Sequence, residues 1–133
     1  MDEKQRYEAG LGVRRAVLGD AYVERSLERR TEFNTEFQEL ITRYAWGEIW
    51  TRPGLDRRTR SLITMAMLIA LNREAEFRLH VKASRANGVT REELKELLLQ
   101  AAIYSGVPAA NGAFHAAAQV LDEMDAKPGA GSR

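Results

Sequence analysis

Residues Leu55–Leu71, LDRRTRSLITMAMLIAL, put three arginines just after an aspartate, followed by ten residues in which Thr64 is the one polar side chain. Asp56 can cap a helix running from Arg57 to Leu71, because a short acidic side chain accepts from the free N–H groups of a first turn. The second half is apolar nearly all round, which predicts a buried central helix. It is too short to span a bilayer. If this segment is a core helix, its surroundings should supply further helices to cover it.

They do so in both directions. Upstream, Thr31 starts a predicted helix in which Phe33, Phe37, Leu40, Ile41 and Tyr44 share a face, ending near Ala45 or Gly47. The aromatic stretch WGEIWTRPG, residues 46–54, then reads as a connecting loop with Pro-Gly as its breaker. Before it, Asp2 to Leu18 reads as a weak helix broken by Gly10 and Gly12, and Asp20 as the cap of a short helix through Arg25. Downstream, a helix from about Arg73 to Asn87 should stop at Gly88. Thr90 and Glu93 form a T-x-x-E capping box for the next, with Leu94, Leu97, Leu98 and Ala101 inward. It stops at Gly106. Pro108 suits the first turn of a last helix with a stripe of Ala110, Ala113, Phe114, Ala117, Val120, Leu121 and Met124. No run alternates as a strand does, so the predicted class is all-α, a bundle of about six helices. Residues 1–125 are expected to form one domain, and 126–133, AKPGAGSR, a disordered tail.

At 133 residues the chain can bury a sizeable core. Its 20 basic and 19 acidic residues nearly cancel, so neither nucleic acid nor a membrane surface is an expected partner. The absence of cysteine removes disulfides, thiolate metal sites and cysteine nucleophiles. The charged start MDEKQRYEAG does not read as a signal peptide, and a cytoplasmic protein is the simplest expectation. Two histidines 35 residues apart offer no metal-ligand spacing. No phosphate-binding glycine motif occurs either.

Three groups of residues invite chemistry. His80 lies on a stripe with Phe77, Ala83 and Ser84, pointing toward the core. It reads either as a hydrogen-bonded core residue or as a proton donor, since imidazole titrates near neutral pH. Arg78 falls on a different stripe, with Glu74, Lys82 and Arg85, and is most simply a partner of Glu74 on a solvated face. Arg57, Arg58 and Arg60 crowd the positive end of the helix dipole, where cations are mildly unfavourable. One turned inward would make a carboxylate site, and the other reading is an exposed basic turn. Glu48 lies between Trp46 and Trp50. Shielded by indoles it would have a raised pKa, and otherwise it sits at the surface. His115 has no clear partner and reads as structural or interfacial.

The segments VRRAVLGDAYVERSL, LDRRTRSLITMAMLIAL and EFRLHVKASRANGVTREELKELLLQAAIYSGVPAANGAF together resemble the carboxymuconolactone decarboxylase family, in family order from about Gly12 to Leu121. This family sits within the alkylhydroperoxidase D-like superfamily. Other members carry a CxxC pair beside the helix histidine, and here Arg78 and Val81 stand at those positions, so thiol peroxidase chemistry is ruled out. The resemblance implies an all-helical subunit in a homo-oligomer, a hexamer or trimer, with no cofactor. It also implies a small dicarboxylate lactone as substrate and loss of carbon dioxide from it. It places catalysis on His80 and Glu48. For such a reaction we expect Arg58 or Arg78 to hold the retained carboxylate, with Trp46 and Trp50 beside Phe77 shielding the one that leaves.

Overall fold

The computed structural model describes residues 1–126, and the expected tail lies almost wholly outside them. Among the described residues all regular structure is helical. The elements are α1 (Glu3–Leu18), α2 (Asp20–Glu28), α3 (Thr35–Ile41), a π-helix (Thr42–Ile49), α4 (Arg57–Ala70), α5 (Glu74–Ser84), α6 (Arg91–Tyr104) and α7 (Val107–Asp125). The chain divides into two compact units, Met1–Arg57 and the part from Arg58 onward.

In the first unit, α1 packs on the π-helix and on α2, and α3 runs into the π-helix. Several expectations fail here. Helix α1 is continuous through Gly10 and Gly12, started by a reciprocal cap in which Asp2 Oδ1 accepts from Gln5 N–H at 2.8 Å and Gln5 Oε1 from Asp2 N–H at 2.9 Å. The glycines do not break it because one of them is a contact surface. A Cβ built on Gly10 would stand 1.9 Å from the Thr42 carbonyl oxygen, and one on Gly47 would stand 2.4 Å from that of Arg6. Facing glycines therefore let two helix backbones touch. The stretch from Trp46 to Ile49 is accordingly helix and not loop, with wide turns in which Trp50 N–H donates to Ala45 O at 3.0 Å. The upstream helix also starts later than expected, at Thr35, and Phe33 is left 96% exposed before it. Asp20 lies in the first turn of α2, which extends past Arg25 to Glu28.

The second unit holds a contiguous core. Met65 and Ile69 of α4, Phe77 and Val81 of α5, Leu94, Leu98 and Ala101 of α6, and Ala113, Ala116, Ala117 and Val120 of α7 form one cluster. Helix α7 packs against both α5 and α6, and its alanines allow that close approach. Helix α4 departs from expectation. Its buried residues are one stripe, Ser61, Met65 and Ile69, whereas Met67 and Leu71 are exposed.

Helix ends follow the predicted chemistry more closely. Gly88, at φ 90°, closes α5 by the paired bonds Val89 N–H to Ser84 O and Gly88 N–H to Arg85 O. Asn72, at φ 58°, plays the same part for α4. Thr90 Oγ1 accepts from Glu93 N–H at 3.0 Å while Glu93 Oε1 accepts from Thr90 N–H at 2.9 Å, the expected capping box. We expect Thr90→Ala to cost about 1 kcal/mol in urea unfolding, the usual worth of such a cap.

Candidate active site

Helix α5 carries His80 on its buried side. Acidic residues in its first turn, Glu74 and Glu76, suit the positive end of the helix dipole. Phe77, His80, Val81, Ala83 and Ser84 are its buried residues, and this spacing wraps one face toward the core. His80 is 9% exposed, and its Nδ1 is shut off from solvent. Desolvation lowers its pKa below the ordinary value, opposed in part by the Glu76 carboxylate four residues earlier. Thus the free protein carries a neutral imidazole at neutral pH.

This shift has a sign that can be tested. Because the folded-state pKa lies below the unfolded-state one, the unfolded chain takes up the proton more readily. The stability tied to neutral His80 is complete above about pH 6.5 and is lost as pH falls from there through the folded-state pKa. We expect resistance to urea to decline below that pH, and the decline to be shallower in His80→Gln.

The arginines expected to hold substrate are both engaged. Arg78 Nε donates to Glu74 Oε2 at 2.9 Å, and its Nη2 donates to Gln119 Oε1 of α7 at 2.7 Å. The reading of Arg78 as partner of Glu74 on a solvated face therefore describes its position. Arg58 Nε donates to Glu93 Oε2 at 2.9 Å, and Nη2 closes on the same oxygen. Arg58 and the Thr90 backbone hold the Glu93 carboxyl at about 2. This pair ties the start of α4 to the start of α6. A carboxylate bound by Arg58 must displace Glu93 Oε2, whose partner oxygen Oε1 completes a helix cap. Displacing the exposed Glu74 from Arg78 costs less, since exposed ion pairs contribute little.

Glu48, Trp46 and Trp50 belong to the first unit, and Arg58, Arg78 and His80 to the second. Trp46 is buried and stacks on Trp50, with centroids 5.0 Å apart. Glu48 is not enclosed between them. Its side chain is 45% exposed, accepts from Arg6 Nη1 at 2.7 Å and lies 3.9 Å from Arg52 Nη1. The sequence offered no signal for Arg6, which is 42 residues away and reaches Glu48 only because Gly10 and Gly47 let the helices meet. His115 is exposed on α7, which removes a core role for it. In the second unit a cavity of about 80 Å³ is walled by Leu68, Ile69, Phe77, Ala113 and Ala116, with Arg73 among its polar neighbours. No cluster of three or more metal-ligating side chains occurs among the described residues.

Residues 35–119 match the sequence profile of the Carboxymuconolactone decarboxylase family. The chain belongs to that family. Over 128 residues it is 52% identical to a 4-carboxymuconolactone decarboxylase of Acinetobacter baylyi, covering 96% of each chain. A 48-residue Pseudomonas putida sequence named 4-carboxymuconolactone decarboxylase is 69% identical over its whole length, which corresponds to 36% of this chain. A nitrosuccinic acid decarboxylase of Metarhizium robertsii is 42% identical over 118 residues, 89% of this chain and 82% of that one. The profile of the carboxymuconolactone decarboxylase family spans all six candidate site residues, whereas α1 and α2 precede it.

Proposed function

We propose that this chain is a carboxy-lyase that releases carbon dioxide from 4-carboxymuconolactone to give 3-oxoadipate enol-lactone, without a cofactor, in protocatechuate breakdown by the beta-ketoadipate pathway. The observation that carries this is the 52% identity to a 4-carboxymuconolactone decarboxylase along nearly the full length of both chains. The substrate supplies its own electron sink. As the ring carboxylate leaves, the bonding pair passes through the C=C into the lactone carbonyl, and the resulting dienolate takes a proton on carbon. The protein has to hold the acid, stabilise the dienolate oxygen and deliver that proton.

His80 is the proposed proton donor. Its neutral state in the free protein suits a site that charges only when occupied, because a dianionic substrate nearby favours the imidazolium. A buried N–H donor beside a developing oxyanion is also among the larger rate terms available, roughly 3–4 kcal/mol by analogy with oxyanion holes. Arg78 is the proposed holder of the retained carboxylate, with Arg58 second for the reason of its capped partner. Glu48 is the proposed proton relay, and Trp46 and Trp50 offer stacked indoles to the lactone. Replacing Glu48 by Gln tests the relay, since a role confined to pairing with Arg6 leaves turnover intact.

The deciding assay follows the ultraviolet change when purified protein meets enzymatically prepared 4-carboxymuconolactone. No acceleration over buffer removes the proposal. The Metarhizium robertsii relative supports a second reading, in which the acid carries a nitro group that accepts the electron pair as a nitronate. Parallel kcat/KM values for the lactone and for nitrosuccinate separate the two. We also propose a cytoplasmic homo-oligomer, a trimer or hexamer. Phe33, Met67, Leu71, Ile103 and Tyr104 are all more than half exposed, which is costly for an isolated subunit. Light scattering on a sizing column that returns a 15.0 kDa species removes this part.

A further inference from the structure

The first unit holds a second set of polar side chains that the proposed chemistry does not use. Arg14 of α1 is 4% exposed. A guanidinium keeps its charge under any ordinary condition, so burying one calls for an anion or a full set of acceptors. The chain supplies one hydroxyl. Nη2 donates to Ser26 Oγ of α2 at 3.2 Å, and Nε is buried with no acceptor. The nearby carboxylates go elsewhere. Arg15, the next residue, takes Glu24 at 2.5 Å and Asp20 at 3.5 Å.

Ser26 also lines a cavity of about 280 Å³, together with Tyr22, Arg25, Arg29, Asn34 and Gln38. The lining contains no carboxylate. Arg25 in the last turn of α2 and Arg29 at its C-cap stand one turn apart, where like charges repel, and neither has an ion-pair partner among the described residues. Two guanidiniums, and a hydroxyl that a third, buried one donates to from behind, thus face one cavity without a counter-charge.

We propose that this cavity binds a small organic acid through its carboxylate. Arg25 and Arg29 close on the carboxylate oxygens. Ser26 accepts from Arg14 and so has its own O–H free to donate outward, passing the buried positive charge to the ligand as a polarised hydroxyl. The amide N–H of Gln38, which also lines the cavity, donates to a further oxygen. The volume is at the small end of ligand sites, which fits an acid of a few carbons and leaves more room than a bare four-oxygen ion fills. The two candidate sources are the lactone acid that the protein acts on and a separate acid. The binding itself stands on the geometry of the first unit and is independent of the proposed reaction.

The test titrates full-length protein with adipate by calorimetry, using adipamide as the uncharged isostere and inorganic phosphate as the inorganic anion. The comparison variant is Arg25→Gln/Arg29→Gln, both exposed positions, so that folding is preserved and circular dichroism confirms it. We expect adipate to bind the parent, to weaken with added salt, and to weaken about tenfold or more in the double variant, with adipamide silent. Equal adipate affinity in parent and variant overturns the proposal. So does adipamide binding as tightly as adipate, or phosphate binding where adipate does not. Decarboxylation kinetics then identify the source. A raised KM at unchanged kcat in the double variant assigns the cavity to the substrate acid, and unchanged kinetics alongside lost adipate binding assigns it to a separate acid.

Discussion

Replacing His80 by alanine is expected to lower kcat for the lactone by about 10²–10⁴, the range seen when a positioned acid or base is removed. The structural basis is that His80 is the buried titratable residue of α5, in a helix whose other buried residues are Phe77, Val81, Ala83 and Ser84. An isolated packing role predicts a different result. The change would then cost stability with turnover per folded molecule unaltered, so activity must be normalised to folded protein from a urea curve. His80→Gln sharpens the contrast by keeping polarity and most of the volume while losing the titratable proton. If His80→Gln retains full kcat, the assignment of the proton to this residue is wrong. The pH dependence gives an independent check. Burial leaves the free protein with a neutral imidazole, so substrate binding at neutral pH should take up a proton, and this uptake should vanish in His80→Gln.

The second large effect is one of opposite signs at neighbouring glycines. Helix propensity alone favours alanine over glycine by about 1 kcal/mol at an interior position. At Gly12 nothing lies within 4 Å of a new Cβ, so Gly12→Ala should gain much of that amount. At Gly10 the same methyl would stand 1.9 Å from one backbone atom and 2.8 Å from another, Gly47 N. No rotamer change can relieve overlap with main chain, so the helices must separate. Overpacking of this kind costs about 1–3 kcal/mol or more, and it outweighs the propensity gain. We expect Gly10→Ala to be destabilised by roughly 2 kcal/mol or more and to lose the Arg6–Glu48 ion pair that the close approach brings together. Equal stability of Gly10→Ala and Gly12→Ala would show that α1 and the π-helix do not meet as described.

How much of this was legible in sequence depended on how local the cause was. Caps and stops are local chemistry, and Thr90, Glu93, Gly88 and Gly106 sit where they were expected. The inward stripe of α5 was equally readable, because 3.6-residue periodicity separates His80 from Arg78 whatever the neighbours are. Contact between distant segments was not readable. Gly10 looked like a helix breaker because its partner, Gly47, lies 37 residues on and reads as a turn residue in its own context. The WGEIW stretch looked like a loop for a related reason, since Gly47 and the Pro53–Gly54 pair just after it are breakers when read locally. Apolar residues of α4 were assigned to the core on composition, but a subunit can bury only the stripe its own helices cover. Arg14 left no mark in the sequence, because a buried arginine and an exposed one are spelled the same way.

The wide-turned helix from Thr42 to Ile49 also sets the segment's tolerance of insertions and deletions. Removing one residue within it would let the backbone adopt the commoner α-helical geometry, a change that looks favourable locally. Yet it would turn every later residue by about 100° around the axis. Gly47 would swing away from Arg6, and a bulkier neighbour would be driven into the α1 backbone. Chain length between Thr42 and Ile49 is therefore fixed by that contact, whereas the exposed turn between α2 and α3 has no comparable register to keep.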